Sequence, residues 1–366
     1  MSLELNNGKY MKLRDWVPFD KVIWASLCKN TNAISILEKN LDKLNKEGWL
    51  ELSRNPNAID LLEKNLDKLV HWYWFFSNAN ANHILEKNLD KLDEEGWIEL
   101  SYYPNAIHIL EKNLDKVCWY YLSENPNAIP ILEKNLDKVF WETLSLNPNA
   151  IHILEKNLDK VWWKTLSQNP NAIHILEKNL DKVIWETLSQ NPNAIHILEK
   201  NLDKLNKKGW TVMCQNPNAI HILEKNLDKL VHEIEDNDWY WLSQNPNAIP
   251  ILEKNLDKVV WTRLCSNPNA IHILEKNLDK LDDYGFDWFW LSQNPNAIHI
   301  LEKNMDKLNW RMLCSNPAIF EYDYEAMKNA MYKEGGFVKE LMQNRFHPRN
   351  IHKFANWGFP SIYVDV

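Results

Sequence analysis

The sequence NPNAIHILEKNLDKVIWETLSQ, residues 169–190, decides the fold of this chain. The motif recurs twelve times between residues 30 and 317. The leucine before each Glu-Lys-Asn marks the period: five of the eleven intervals are 22 residues, and the others are one to seven residues longer. Because internal repetition overrides length as a guide to domain number, the chain of 366 residues is read as one repeat array.

Each unit is predicted to contain two short helices. Asn169 followed by Pro170 is typical of a helix N-cap and first turn. The apolar residues of the first helix fall at helical spacing: Ala172, Ile173, Ile175, Leu176 and Leu180. We expect Asn179 to end this helix in a left-handed turn and Asp181 to cap the second helix. The second helix should then turn three residues toward the core: Val183, Trp185 and Leu188.

A unit of this size cannot bury enough apolar surface to fold alone, so stability must come from stacking on neighbours. We therefore predict an all-α solenoid of about twelve two-helix repeats, shaped as an elongated, curved rod with an axis on the order of 100 Å. Residues 30–317 are the repeats, residues 1–29 an N-terminal cap with a half repeat, and residues 318–366 a C-terminal helical cap. The tail should include helices at 324–333 and 338–346.

Extra residues in the longer units all fall between the Asp-Lys pair and the aromatic of the second helix. They should therefore project from one side of the array. Units of 22 residues have Val after Asp-Lys, as at Val183, whereas longer units have Leu, as at Leu44 and Leu205. We expect Val to pack under a tight turn and Leu to reach beneath a longer one.

Composition limits the classes of function. Lys plus Arg is 42 against 50 for Asp plus Glu, and the formal charge of −8 argues against a phosphate backbone as the main partner. The five cysteines occur singly and are expected to be small core residues in a reducing compartment. Neither a secretory signal nor a membrane span of about 18 apolar residues is evident, so we expect an intracellular protein with no membrane partner.

Three features together resemble a known group of proteins. They are the Asn-Pro-Asn-Ala-Ile-His-Ile-Leu-Glu-Lys-Asn array, the Leu13-Arg14-Asp15-Trp16 opening and the Phe346-His347-Pro348 tail. The chain is similar in these to repeat proteins encoded by giant DNA viruses of algae and protists. The resemblance implies a viral origin and a repeat scaffold, located in the host cytoplasm or the virus particle, and it transfers no catalytic residue.

Nothing in the repeat indicates an enzyme, a metal site or a cofactor. Histidine recurs in the first helix, as at His174, but equivalent residues of successive units lie about 8 to 10 Å apart, whereas zinc ligands bond at about 2 Å. We expect a solvated or partner-facing histidine ladder. The Glu-Lys and Asp-Lys pairs recur in every unit, whereas an active site needs one unusual constellation.

Tryptophan at the start of the second helix is expected to pack in the core. Three aromatic clusters, at 72–76, 239–241 and 288–290, exceed what one short helix can turn inward, so some of these rings should face the surface. Either the longer loops fold back over them, or they anchor a partner. The tail residues His347-Pro348-Arg349 and Trp357-Gly358 are interpreted as part of the cap, with a docking signal as the alternative.

A surface that reads an irregular partner must vary between repeats, and two positions of the second helix vary. The candidate partner-binding residues are Tyr120, Tyr121, Glu142, Thr143, Lys164, Thr165, Glu186, Thr187, Thr262, Arg263, Trp74, Tyr240 and Trp290. The first hypothesis is a non-catalytic scaffold that binds a protein or peptide along this face. The alternatives are recognition of single-stranded RNA, one base per repeat, and a structural role in a virus particle.

Overall fold

The computed structural model describes residues 8–68, 72, 75, 78, 80–230, 238–282 and 286–332. They form an all-α solenoid in which each repeat contributes a first and a second short helix, stacked neighbour to neighbour around one continuous core. The predicted fold class is confirmed. The predicted helix at 338–346 lies outside the described residues, whereas the one at 324–333 is present as α25 (Tyr324–Tyr332).

The helices are short, most of them one to two turns. The first helices are α2 (Ile34–Glu38), α4 (Ile59–Glu63), α5 (Asn82–Glu86), α7 (Ile107–Leu110), α9 (Ile129–Lys134), α11 (Ile151–Glu155), α13 (Ile173–Glu177), α15 (Ile195–Glu199), α17 (Ile220–Lys225), α19 (Ile249–Glu253), α21 (Ile271–Lys276) and α23 (Ile298–Lys303). The second helices are α1 (Trp24–Leu27), α3 (Lys46–Ser53), α6 (Glu94–Tyr102), α8 (Trp119–Glu124), α10 (Trp141–Leu144), α12 (Trp163–Leu166), α14 (Trp185–Leu188), α16 (Lys207–Met213), α18 (Asp238–Gln244), α20 (Trp261–Leu264), α22 (Phe286–Gln293) and α24 (Trp310–Ser315). Single 3-10 turns occur at Phe19–Lys21, Leu41–Lys43, Pro56–Ala58, Leu66–Lys68, Leu89–Lys91, Pro104–Ala106, Leu202–Lys204, Leu227–Lys229, Leu278–Lys280, Pro295–Ala297, Met305–Lys307 and Pro317–Ile319.

The first asparagine of each Asn-Pro-Asn motif joins neighbouring repeats. Asn169 is buried, and its Oδ1 accepts the N–H of Asn171 at 3.0 Å, which caps the turn at 169–172. The helix itself begins later than predicted, at Ile173, with Ala172 in the N-cap position. Asn169 Nδ2 also donates to the carbonyls of Ser145 and Asn147, at the equivalent junction one layer earlier, at 3.0 Å each. Asn171 Nδ2 donates to the Pro148 carbonyl at 2.9 Å. One short motif thus forms the turn that leads into a helix and binds it to the preceding layer.

Three local predictions are wrong. Asn179 does not adopt a left-handed turn, since no described residue other than glycine has positive φ; its Nδ2 instead donates to the Ile175 carbonyl at 2.8 Å. Asp181 does not cap the second helix, which starts at Trp185 with no side-chain cap; instead Ser167 Oγ of the preceding repeat accepts the Ile184 N–H at 3.1 Å. Leu180 is exposed because the first helix ends before it.

Three of the longer units lengthen the second helix, as α3, α6 and α16, and give it a side-chain cap. Asn206 Oδ1 accepts the Gly209 N–H at 2.8 Å. A Cβ on Gly209 would lie 3.2 Å from Leu205 Cδ2, and one on Gly48 would lie 3.4 Å from Leu44 Cδ2. Leucine therefore packs beneath the longer turn, and Val183 is buried under the tight one, as predicted.

The ends of the array meet through the interactions that join ordinary neighbours. Asn30 Nδ2 donates to the carbonyls of Cys314 and Asn316, at 3.1 and 2.8 Å, in the pattern of an interior asparagine. The Ile23 N–H donates to Cys314 Sγ at 3.3 Å, where interior repeats use a serine hydroxyl. The expected elongated rod with two free ends is therefore wrong: the solenoid closes into a ring.

A composite layer built from both end segments completes the ring. Helix α1 packs between α24 and α3, so the N-terminal half repeat supplies the second helix, while Asn316 and Pro317–Ile319 supply the start of a first helix. In place of the rest of that helix, strands β1 (Met11–Leu13) and β2 (Phe320–Tyr322) pair antiparallel, with Met11 opposite Tyr322. We call this pair the clasp. Twelve repeats plus this layer give thirteen layers.

The second helices lie on the inner side of the ring. Most neighbouring second helices pack closely, whereas neighbouring first helices contact each other less, and elements nearest the axis of a closed ring must be closest together. Arg311 Nη2 on α24 lies 3.1 Å from Glu47 Oε1 on α3, across the intervening helix α1. Side chains two layers apart can meet in this way on a concave face. Thirteen layers about 8 to 10 Å apart put the axes of the second helices on a circle of roughly 17 to 21 Å radius.

Candidate functional site

The first variable position of the second helix is open to solvent in several of the repeats named above. Tyr120, Glu142 and Lys164, on α8, α10 and α12, are exposed. Glu186 on α14 is half-buried, and its Oε1 lies 2.6 Å from Nζ of Lys208 in the next repeat. These residues lie on successive layers of the concave side, as the pattern of variation predicted.

The second variable position does not face outward where it is threonine. Thr143 and Thr187 are only 3% and 6% exposed. Each hydroxyl donates to a second-helix carbonyl of the preceding repeat: Thr143 to Tyr120, and Thr187 to Lys164, both at 2.9 Å. Thr165 makes the same bond and is half-buried. The prediction that Thr143 and Thr187 form part of a recognition face is wrong, because this position points at the neighbouring helix.

An exposed apolar position was missed by the sequence analysis. It is the residue between the buried Val and the tryptophan, and it precedes the first residue of a tight second helix. Phe140, Trp162 and Ile184 occupy it on three consecutive layers and are 49%, 52% and 41% exposed. The sequence did carry a signal for this position. Each of these large apolar residues lies outside both the apolar stripe of the first helix and the core positions of the second helix, so it could have been predicted to be exposed.

Ring contacts connect Phe140, at this position, to two of the predicted partner-binding residues, Tyr120 and Tyr121. The centroid of the Tyr102 ring lies 6.4 Å from that of Tyr121, Tyr121 lies 5.2 Å from Tyr120, and Tyr120 lies 5.6 Å from Phe140, all edge-to-face. All four side chains are exposed, and Trp162 follows one layer further on. We call Tyr102, Tyr120, Tyr121, Phe140 and Trp162 the aromatic track.

A second cluster brings together three other predicted residues. The Arg263 guanidinium lies 4.0 Å from the ring centroid of Tyr240 in the preceding repeat and 5.6 Å from that of Trp290 in the following one. Thr262 on the same helix donates a hydrogen bond to the buried carboxylate of Asp287. The Arg263 cation contacts both rings, so this cluster links three layers and offers less open aromatic surface than the track.

The other aromatic clusters are partly described. Trp239 and Trp288 are buried, and Phe75 is buried, whereas Trp241 is 37% exposed, which confirms that some of these rings face the surface. The candidate Trp74 lies outside the described residues, as do the inserted segments 231–237 and 283–285 and the tail motifs at 347–349 and 357–358.

The histidines lie on the opposite, convex side and pair with glutamates of the preceding repeat. Nε2 of six of them lies 2.5 to 2.8 Å from a glutamate Oε1. The pairs are His152–Glu133, His174–Glu155, His196–Glu177, His221–Glu199, His272–Glu253 and His299–Glu275. Each histidine thus meets a single carboxylate, and across the described residues no group of three His, Cys, Asp or Glu could hold a metal ion.

Among the buried groups, the pKa values that are clearly raised are those of cysteine thiols. This agrees with the prediction that the cysteines are core residues. Burial, with a smaller contribution from Glu51, raises the pKa of Cys28 to about 12. Burial likewise raises the pKa of the Cys214, Cys265 and Cys314 thiols. These four side chains are buried and are neutral thiols at physiological pH, which makes them poor nucleophiles.

No protein-family model, curated protein or solved structure matches the chain. The resemblance to viral repeat proteins thus stays a prediction from sequence. Within the part of the chain that the structure describes, no helix combines the length and the apolar character that crossing a bilayer requires.

Proposed function

We propose that this chain is a non-catalytic, ring-shaped scaffold that binds a protein along its second helices. The observation that carries the proposal is the aromatic track: four rings in edge-to-face contact and a fifth one layer on, all exposed on the varying side of a repeating frame. Exposed contiguous aromatic surface is typical of protein interaction sites. The sequence resemblance supports a virus-encoded scaffold acting inside a host cell or in the virus particle.

The other surfaces favour this proposal over catalysis. Polar side chains that recur around the ring have structural roles. Examples are the first asparagines of the Asn-Pro-Asn motifs, which we call the asparagine ladder, and the histidine–glutamate pairs. The shifted thiols are buried. Recognition of single-stranded RNA is the second candidate, since rings in a row can stack bases, but Glu99 and Glu142 on the same side oppose a phosphate backbone.

The test is affinity capture with the tagged chain, with and without nuclease, compared with a variant carrying Phe140→Ser and Trp162→Ser. We expect one or two stoichiometric proteins, insensitive to nuclease, that the variant loses. The matched control is Lys178→Ser, at an exposed position of the convex side, which should retain them. Recovery of nuclease-sensitive ribonucleoproteins with a steep dependence on salt would favour the RNA alternative instead.

A further inference from the structure

A shallow depression lies at the Tyr102 end of the aromatic track. It has a volume of about 210 Å³ and is lined by Ile98, Glu99 and Tyr102 of α6 and by Tyr121 of α8. The ring centroids of the two tyrosines are 6.4 Å apart, and the ring planes are inclined at 88° to each other. The two rings therefore form a right-angled corner, which is open to solvent because both side chains are exposed. A group seated in this corner contacts two aromatic faces at once.

The charge around the depression favours a cation. Glu99 is exposed and lies three residues before Tyr102, so the two side chains share one side of α6. The two helices that line the depression carry no lysine or arginine, and their four acidic residues are Glu94, Glu95, Glu99 and Glu124. Among the described residues none forms an ion pair with Glu99. The depression thus combines an uncompensated carboxylate with ring faces, which are themselves negative.

The cations of the chain near this site are used elsewhere or lie further along the ring. Lys116, in the turn before α8, has its Nζ 4.9 Å from the ring centroid of Trp97. Lys164 is on α12, two layers beyond α8. In the described part of the chain no lysine or arginine lies over the ring of Tyr102 or Tyr121. The corner between these rings is therefore open to a cation from outside the chain.

The walls of the depression select a methylated ammonium group over an unmodified lysine side chain. A lysine ammonium has three N–H donors and is strongly hydrated, so it needs several acceptors when it leaves water. The depression offers one charged acceptor, Glu99, and otherwise two aromatic rings and the aliphatic Ile98. A quaternary ammonium has no N–H to satisfy, and its methyl groups can pack against aromatic faces, as in the aromatic cages that bind choline and methyl-lysine.

We infer that the Tyr102–Tyr121 depression binds a quaternary ammonium group, which we assign to a trimethylated lysine of the partner protein. The inference rests on the proposed protein-binding function, because both tyrosines belong to the aromatic track, and it names the group that this end of the track recognises. The trimethylammonium lies in the corner between the two rings, and the Glu99 carboxylate supplies the opposite charge. Choline has the same chemistry, and the test separates the two sources.

The test is isothermal titration calorimetry of the full chain with a short peptide that carries one trimethyl-lysine among glycine and serine residues. One matched peptide carries unmodified lysine, and another carries the neutral analogue in which carbon replaces the quaternary nitrogen. We expect the trimethyl-lysine peptide to bind about fivefold or more tightly than either, since the first control lacks the methyl groups and the second lacks the charge. Choline chloride should bind more weakly than the trimethyl-lysine peptide, because the peptide adds contacts along the track.

Variants of the depression localise the binding. Tyr102→Leu and Tyr121→Leu should each weaken binding of the trimethyl-lysine peptide about fivefold or more, whereas Tyr102→Phe, which keeps the ring, should retain it. Glu99→Gln should weaken binding and reduce its dependence on salt. The matched control Trp241→Leu removes a similarly exposed ring from α18 and should leave the affinity unchanged.

Several outcomes would overturn the inference. They are equal binding of the three peptides, tighter binding of choline than of the trimethyl-lysine peptide, no binding at millimolar concentration, and unchanged binding in Tyr102→Leu and Tyr121→Leu. If a captured partner depends on Phe140 and Trp162 while none of the peptides binds, the proposed function stands and only this inference fails.

Discussion

Two junctions of the ring use the same contacts at very different separations in sequence. One lies between repeats 147–168 and 169–190, and the other joins the two ends of the array. Asn169 reaches carbonyls 22 and 24 residues back, whereas Asn30 reaches carbonyls 284 and 286 residues ahead. The interior junction forms from local sequence. The closing junction can form only once the intervening repeats have set the curvature, so its stability reports on the geometry of the whole ring.

The comparison also shows what the ring gains. In an open repeat array the terminal units have one neighbour each and are the first to unfold. Closure gives every layer a neighbour on both sides, and the clasp adds a pair of strands that interior junctions do not have. Arg14 strengthens the clasp, since its Nε donates to the Ala318 carbonyl at 2.8 Å.

The largest expected effect comes from removing residues 1–29. This deletion takes away β1 and α1, whose Leu27 is fully buried, and leaves α24 and α3 without a partner layer. Each large apolar side chain so lost contributes roughly 1.5 to 3 kcal/mol, so the free energy of unfolding should fall by several kcal/mol. Small-angle X-ray scattering should show an open arc with a larger radius of gyration.

Deletion of residues 1–7 alone is the matched control for this experiment, because it leaves β1 and α1 in place. Its scattering curve should equal that of the full chain. If the deletion of residues 1–29 also preserved the scattering curve and the unfolding midpoint, closure would contribute nothing to the fold.

Substituting one asparagine at each junction sharpens the comparison. Asn169→Ala and Asn30→Ala both remove a cap and two buried hydrogen bonds to the layer before. Each should cost about 2 to 4 kcal/mol of unfolding free energy. Hydrogen exchange should differ: Asn30→Ala should expose the amides on both sides of the closure, whereas Asn169→Ala should loosen a junction held in register by its chain connection.

Equal exchange at the closure in both variants would contradict this expectation. It would mean that the clasp, rather than the asparagine ladder, holds the ends together. Asn171→Ala, which removes a single exposed bond to Pro148, is a milder comparison at the interior junction and should cost less than Asn169→Ala.

Much of the repeat could be predicted from the sequence, because its helices depend on local signals. Asn169 and Pro170 marked the turn that leads into the first helix at Ile173, and Ala172, Ile175 and Leu176 marked its buried side, as found. The position of Thr143 could not be assigned in the same way. Deciding between outward and neighbour-facing orientations on a helix of four residues needs the rotation of one layer on the next, which no single repeat encodes.

Ring closure could not be predicted from the sequence for the same reason, because it depends on the rotation of each layer relative to the next over the whole array. Closure of thirteen layers requires each layer to rotate by about 28° relative to the one before, and a few degrees more or less per layer would leave an open superhelix. The sequence did hold two clues: a second-helix pattern with no first helix at residues 19–27, and an Asn-Pro start with no second helix at residue 316. Each segment alone is typical of a solenoid cap, whereas the two segments together form one layer.

Tyr103 offers a smaller test at an interior junction. It stands where other repeats have the ladder asparagine, and it provides no side-chain cap for the following turn. Tyr103→Asn should restore the cap and bonds to the preceding layer, raising the unfolding free energy by about 1 kcal/mol. Tyr102→Phe, at the exposed residue beside it, keeps the ring contacts with Tyr103 and Tyr121 and should leave stability nearly unchanged. A loss of stability in Tyr103→Asn would show that its ring packing outweighs the missing bonds.

The smallest expected effect concerns the atom that distinguishes the closing junction. Cys314 Sγ accepts the Ile23 N–H at 3.3 Å, where the interior junction has Ser167 Oγ at 3.1 Å from the Ile184 nitrogen. Sulfur is the weaker acceptor, so Cys314→Ser should strengthen closure by about 0.5 to 1 kcal/mol, and Ser167→Cys should weaken the interior junction similarly.

Thiol labelling of Cys28 measures the effect of Cys314→Ser directly. Burial raises the pKa of Cys28 to about 12, so in the closed ring the thiolate is scarce at pH 8, and labelling requires opening of the composite layer. We expect slower labelling of Cys28 in Cys314→Ser at fixed pH, with the labelling rate of Cys265 in the interior unchanged. Faster labelling of Cys28 would mean that the smaller serine leaves a cavity whose cost exceeds the gain from the better acceptor, and that the closing junction is packed for sulfur.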